Sequence, residues 1–257
     1  MSKDLPIGFF DSGIGGLSML AAAMKQLPNE RFIYLGDSAH APYGTKSDAQ
    51  VRTLTMDAVK QLMNRGIKAL VVACNTATSA GINALRDAYS FPVIGIEPAL
   101  KLAHDTHTDG LILVLATPLT VKSQKYRSLF EKYGQHAISL PSPGLMDFVE
   151  REELDSPALH HYLADLFSPY QNQVIDSVVL GCTHYLFLKE AITTHLPAGT
   201  RLLDSNDGVT RQLIKRLSEQ DLLASPHQLA QIDIISTGSA EKEAQLRRML
   251  KVAQSLF

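Results

Sequence analysis

The chain has 257 residues, 45% of them apolar and 19% charged, the composition of an ordinary globular protein with core enough for one large α/β domain or two smaller ones. Its 24 basic and 26 acidic side chains nearly cancel, which leaves no electrostatic footprint for nucleic acid or a membrane surface. Met1–Pro6 leads into an apolar run too short for a signal-peptide core, and no run approaches a membrane span, so the chain is expected in the cytoplasm.

Short apolar runs alternate with helical patterns from the start. Ile7–Phe10 reads as a strand, Leu17–Gln26 as a helix and Arg31–Gly36 as a second strand, followed by the turn-rich loop Asp37–Gly44. Ser47 opens a long amphipathic helix that Gly66 is placed to close. Ala69–Ala73 is a third strand, Ala77–Ala88 a helix, and Val93–Ile96 a fourth strand. Leu111–Ala116 is a strand, Val121–Tyr133 a helix and Ala137–Leu140 a strand, and Gly144–Glu152 and Pro157–Leu166 read as helices. Ser177–Gly181 and Arg201–Leu203 are strands with the helix Tyr185–Thr194 between them. The remainder reads as the helix Val209–Glu219, a strand at Ile232–Ser236 and a helix from Ala240 onward. This alternation means βαβ units and mainly parallel sheets flanked by helices, with sites at the carboxyl ends of the strands.

The element order also repeats. Ile7–Asp11 has a counterpart in Leu111–Thr117, and the stretch around Cys74 has one around Cys182, at offsets of about 105 and 108 residues. Two similar α/β domains facing each other would bring both stretches to one cleft. Cys74 and Cys182 are the only cysteines, and each stands where a buried strand ends and a helix begins. There the N–H groups of the following helix favour a thiolate, although a lone buried cysteine is as readily a small apolar residue. A reducing compartment argues for free thiols, and without a C-x-x-C pair or an H-E-x-x-H helix neither a redox motif nor a metal is expected.

A ligand held between a thiolate and a thiol loses a proton to one and gains a proton from the other on its opposite face, which inverts a stereocentre. Each thiol needs a neighbour to carry charge. Asp11 heads the glycine-rich turn Asp11–Gly16, which departs from the dinucleotide fingerprint because Ser18 stands where its third glycine would fall. The turn reads equally as a helix cap with glycines for tightness and as a carboxylate-binding turn. His184, two residues beyond Cys182, is placed to serve that thiol. His160 and His161 read as surface residues. Asn75, Thr76 and Thr183 suit helix starts and are also uncharged donors for a carboxylate, and Tyr43-Gly44 follows Pro42 in a turn.

Taken together, Asp11-Ser12-Gly13-Ile14-Gly15-Gly16-Leu17, Tyr34-Leu35-Gly36-Asp37, Pro42-Tyr43-Gly44, Ala73-Cys74-Asn75-Thr76-Ala77-Thr78 and Leu180-Gly181-Cys182-Thr183-His184-Tyr185 resemble the glutamate racemases of the aspartate/glutamate racemase superfamily. The resemblance implies cofactor-independent interconversion of L- and D-glutamate, supplying D-glutamate for peptidoglycan. Cys74 would face the α-hydrogen of D-glutamate with help from Asp11, and Cys182 that of L-glutamate with help from His184. Glu150, which alone would read as a solvated helix charge, is implied as a further catalytic acid. Ser12, Tyr43, Gly44, Asn75, Thr76, Thr183 and His184, with Asp11, Thr117 and Thr120, are implied as substrate contacts.

The implied fold is two pseudosymmetric α/β domains, one of residues 1–97 plus 208–257 and one of 98–207, with the site between them. Family members are often homodimers in varied arrangements, and the sequence selects none. Some respond to a muropeptide precursor through residues ahead of the first strand; only Met1–Pro6 stand there, so that control is not expected. Three alternatives stay open: a superfamily racemase acting on aspartate or hydantoins, a single-thiol lyase or hydrolase using Cys182 and His184, and a two-domain module that binds an amino acid without chemistry.

Overall fold

The computed structural model describes residues 2–257. In chain order its elements are β1 (Ile7–Asp11), α1 (Leu17–Gln26), β2 (Arg31–Gly36), α2 (Asp48–Met63), β3 (Ala69–Val72), α3 (Asn75–Ala88), β4 (Val93–Gly95), α4 (Leu100–Asp105), β5 (Leu111–Ala116), α5 (Pro118–Lys122), α6 (Gln124–Tyr133), β6 (Ala137–Pro141), α7 (Leu145–Glu150), α8 (Pro157–Phe167), β7 (Ile175–Leu180), α9 (Lys189–Thr194), β8 (Arg201–Leu203), α10 (Asn206–Glu219), β9 (Gln231–Ser236) and α11 (Ala240–Gln254). Short 3-10 turns lie at Tyr43–Thr45, Ser168–Tyr170 and Thr183–Leu188. No helix among the described residues is long and apolar enough to cross a membrane.

The strands form two sheets, ordered β4-β3-β1-β2-β9 and β6-β5-β7-β8, and every pairing is parallel. β5, β6, β7 and β8 are arranged as β1, β2, β3 and β4 are, so the pseudosymmetry expected from element order is present in the strand pairing itself. Central strands are covered on both faces, and β1, β3 and β7 are buried at every position; β3 is apolar throughout, whereas β7 carries buried Asp176 and Ser177 ahead of Val178–Leu180 and so starts two residues before the Ser177 expected from the sequence. β9 adds an edge strand beside β2 after the second sheet is complete. The largest apolar cluster runs from the first sheet through α1 and Ile14 to Met146, Val149, Tyr185 and the second sheet, while α2 and α3 cover the other face of the first sheet with a second cluster and α4 and α6 that of the second sheet with a third.

Local chemistry sets the boundaries. Ser47 caps α2 with a capping box, its hydroxyl accepting from the Gln50 N–H and the Gln50 side chain accepting from the Ser47 N–H. The helix expected over Val121–Tyr133 is two, because Ser123 is extended and its hydroxyl accepts the Tyr126 N–H at 3.2 Å, which restarts the helix. Pro118 at the first position of α5, capped by Thr117, begins it earlier than the periodicity indicates. The helix expected over Tyr185–Thr194 is α only from Lys189, and α4 was not visible as a helical pattern. α7 is shorter than the Gly144–Glu152 reading, bounded by left-handed Gly144 and Glu152.

Opposite the strand ends that carry the polar clusters, Lys68 and Glu30 form a buried ion pair at 2.5 Å, both essentially without solvent exposure. Lys68 also donates to the Lys3 carbonyl, and Glu30 accepts the Ala224 N–H at 2.8 Å, so four separate stretches of chain meet there. Removing one charge strands the other in the core. Lys68→Met should cost about 3–5 kcal/mol in urea unfolding, and the double change Lys68→Met with Glu30→Leu should recover part of it.

Candidate active site

Asp11 ends β1, Cys74 follows β3, Thr117 follows β5 and Cys182 lies just beyond β7, so equivalent strands of the two sheets deliver their polar residues to one cleft. Cys74 is the N-cap of α3, its sulfur accepting from the Ala77 N–H at 3.4 Å and lying 3.6 Å from the Ser12 hydroxyl. The helix N-terminus does not prevail over burial: desolvation and the Asp11 charge push the Cys74 thiol up to about 12. The thiolate expected from its position is therefore absent at neutral pH, and Cys74 rests as a thiol.

Asp11 is fully buried. Its carboxylate accepts the Gly13 N–H at 2.8 Å and, from the other side of the cleft, the Thr183 hydroxyl at 3.2 Å. Burial raises its pKa, against the charge of His184 and the Gly13 N–H. It is not the cap of α1, which has Gly16 at its N-cap and no side-chain bond.

Beside the second thiol, the Cys182 sulfur is 3.7 Å from His184 Nδ1. His184 Nε2 is 2.8 Å from Glu150 Oε1, and that oxygen also accepts the Ile14 N–H at 2.9 Å. Glu150, expected from its own surroundings to be solvated, has a side chain only 14% exposed and is carried by α7 into contact with the glycine-rich turn. Burial opposes charge on His184, but Cys182 and the Glu150 carboxylate together hold the imidazole well above its ordinary value. Burial likewise works against the Glu150 carboxylate, yet the hydrogen bond and charge of His184, the Ile14 N–H and Lys242 hold it below the usual range.

The turn's glycines are required for space rather than for backbone angle, since none of Gly13, Gly15 or Gly16 has a positive φ. A Cβ on Gly13 would lie 2.1 Å from Glu150 Oε1, and one on Gly15 would lie 2.3 Å from His184 Nδ1 and 2.5 Å from the Thr183 hydroxyl. Gly44 is similar, since a Cβ there would fall 2.9 Å from the Thr117 Cβ.

The remaining expected residues also gather at this cleft. Thr76, Thr117 and Thr120 form a triangle of buried hydroxyls, 3.0–3.3 Å apart, joining the two sheet units. Asn75 is buried with no partner for its Oδ1 among the described residues. Tyr43 differs from a simple contact residue, because its hydroxyl is already donated to Asp37 at 2.5 Å. Asp37, which closes the Tyr34–Asp37 motif but was assigned no role from the sequence, also takes the Thr237 hydroxyl at 2.5 Å and His40 Nδ1 at 2.8 Å. Its place at the end of β2 was the available signal. His160 bonds His195 and Asp155 away from the cleft, and no group of three or more His, Cys, Asp or Glu among the described residues could hold a metal.

Comparison with known proteins gives the class. A model of the Asp/Glu/Hydantoin racemase family matches residues 16–213, most of the chain, which makes the protein an amino-acid racemase, an isomerase. A glutamate racemase of Clostridium botulinum (strain Alaska E43) is 46% identical, over 96% of this chain and 97% of that one. The crystal structure of glutamate racemase isoform RacE1 from Bacillus anthracis superposes with a TM-score of 0.87 at 32% identity, covering 97% of this chain and 95% of that one. Escherichia coli glutamate racemase in complex with L-glutamate and the activator UDP-MurNAc-ala gives 0.86 at 30% identity, covering 97% and 95%. The chain belongs to the glutamate racemase family.

Two outcomes follow from the geometry. Glu150 contributes stability above the ordinary glutamate range near pH 4.3 and loses it as pH falls through its depressed value, whereas His184 contributes below about pH 6.5 and loses it as pH rises through its raised value. The difference in melting temperature between wild type and Glu150→Gln should therefore be largest between about pH 4.3 and 6.5 and shrink on either side. Gly15→Ala must displace His184 or Thr183, and racemase turnover should fall on the order of 10²-fold in a steady-state assay.

Proposed function

We propose that this protein interconverts L- and D-glutamate without a cofactor, using Cys182 and Cys74 as the two proton-transfer groups. The observation that carries the reading is the pairing of two thiols, each at the end of the equivalent strand of its own sheet and each with its own partners. A substrate held between them is open to a thiol on each face.

The group beside each thiol suits one direction. An imidazolium at His184 is the counter-charge for a thiolate at Cys182, and Cys74 is held as a thiol. In that state Cys182 takes the α-hydrogen of L-glutamate, Cys74 returns one on the opposite face, and D-glutamate results. Both thiols finish with exchanged protonation states, so the reverse reaction runs from the state this one leaves behind. Asp11 serves Cys74, while Glu150 holds His184. The unpartnered Asn75 oxygen is an acceptor for the substrate ammonium, and Ser12, Thr76, Thr117, Thr120 and Thr183 with the Tyr43-Gly44 backbone receive the carboxylates, the threonine hydroxyls turning from their bonds to one another and to Asp11 toward the substrate.

Glutamate is favoured over aspartate or a hydantoin by the names of the relatives and by the L-glutamate complex of the E. coli protein. In this reading the enzyme supplies D-glutamate for peptidoglycan from the cytoplasm, and it divides into residues 1–97 plus 208–257 and residues 98–207, with a homodimer as one arrangement open to it.

The test is incubation of purified protein with each glutamate enantiomer in D2O, following circular dichroism and the α-hydrogen by NMR. Loss of rotation with deuterium entering the α-position is expected, and Cys74→Ala and Cys182→Ala should each slow racemisation by roughly 10²–10⁴-fold or more. Because enantiomers have equal free energy, each variant must lose the same factor of kcat/KM in both directions. Wild-type protein that leaves rotation and α-hydrogen intact, yet melts higher with D-glutamate, would instead be a binding module.

A further inference from the structure

The helix α11 belongs to the first-sheet side of the molecule, since it follows β9 and packs on α1, yet one of its faces reaches the residue that holds His184. Lys242, Gln245 and Arg248 recur every three residues along that face. Gln245 is buried, and its Nε2 donates to the backbone carbonyl of Glu150 at 2.8 Å. Lys242 Nζ donates to the Gln245 Oε1 at 2.9 Å, which fixes which end of the amide faces Glu150. Arg248 donates to the Glu152 carboxylate at 2.6 Å, where the chain leaves α7 through a left-handed residue.

The last carbonyls of a helix have no intrahelical donor, and Glu150 is the last residue of the six-residue α7. Gln245 supplies the donor that its carbonyl lacks. Glu150 is thus held at both ends, its carbonyl by Gln245 and its carboxylate by the Ile14 N–H and His184. A glutamate side chain has enough rotatable bonds to miss His184 unless its main chain is fixed.

We propose that Gln245 is a positioning residue for racemisation: by fixing the main chain of Glu150 it sets the aim and charge of the His184 imidazole beside Cys182. This rests on the two-thiol reading above. The groups that face the Glu150–His184 pair are Asp11 from β1, Tyr34 from β2, Cys182 beyond β7 and Lys242 from α11, with the Arg248–Glu152 pair further out and Asp147 on α7 itself. Gln245 carries no charge, so its replacement by an apolar residue of similar volume adds none to that set.

The experiment compares wild type, Gln245→Met and Arg248→Ala with α-protonated and α-deuterated glutamate of both hands across pH. Gln245→Met should lower kcat by roughly ten-fold, the worth of one hydrogen bond, with KM little changed because Gln245 is not a substrate contact. The alkaline limb of its kcat profile should move toward the ordinary histidine range near pH 6.5. Its isotope effect should rise more with L- than with D-glutamate, since only the step at Cys182 is slowed. Arg248→Ala, which touches Glu152 rather than Glu150, should keep the wild-type pH profile and isotope effects. If Gln245→Met melts lower but keeps both, or if Arg248→Ala changes both equally, α11 merely packs and the proposal fails while the racemase reading stands. Wild type that exchanges no α-hydrogen overturns the racemase reading, and this proposal with it.

Discussion

Everything at the cleft depends on how closely a short turn lets the two halves of the molecule approach. Gly13, Gly15 and Gly16 present bare backbone to Glu150, His184 and the Asp11–Ala73 side of the first sheet, and a methyl group on any of them would overlap an atom of the site. The same absence of side chains exposes the Ile14 N–H that Glu150 accepts. Tight packing at this seam is what carries a carboxylate of the second half onto a donor of the first. It also takes the cluster out of water, and that desolvation sets the charges.

Burial alone would neutralise Asp11, Glu150 and His184, since each isolated charge is costly away from solvent. They meet that cost differently. Glu150 and His184 hold each other ionised, whereas Asp11 has only an N–H, a hydroxyl and a more distant imidazole, and its carboxyl is raised. The two thiols therefore sit in unlike surroundings, Cys74 near a buried carboxyl group and a hydroxyl, Cys182 beside an imidazole held charged by Glu150. Pseudosymmetry in the strands is combined with asymmetry in the charges, which suits the proposed reaction, whose two proton transfers run in opposite senses.

The strands, their parallel pairing and the clustering of Asp11, Cys74, Thr117 and Cys182 at strand ends were legible because burial on both faces writes itself as unbroken apolar runs and polar residues mark where they stop. The residues around Cys74 and Cys182 were legible for the same reason. Ser123 and the turn at Thr183–Leu188 were not, because a side-chain cap or a 3-10 turn changes the backbone without changing the hydrophobic period. Glu150, Asp37 and Gln245 were harder still from local pattern. Glu150 and Gln245 owe their surroundings to partners far along the chain, Ile14 and His184 for Glu150 and Glu150 for Gln245, and Asp37 joins the nearby Tyr43 and His40 to the distant Thr237. The resemblance brought Glu150 to notice; nothing in its neighbours Val149 and Arg151 did.

The return of the chain to the first sheet has a consequence for biosynthesis. The second sheet is laid down without interruption from β5 to β8, whereas the first lacks its edge strand until β9 reaches β2, and Glu30 lacks its backbone donor until Ala224 is in place. During vectorial synthesis, at about 5–20 residues per second, the later half is thus able to close around its own core some seconds before the earlier half is finished. Because α11 follows every other element described, the bond from Gln245 to Glu150 forms only after both sheets have been synthesised, and the cleft is the part of the molecule whose contacts are completed latest.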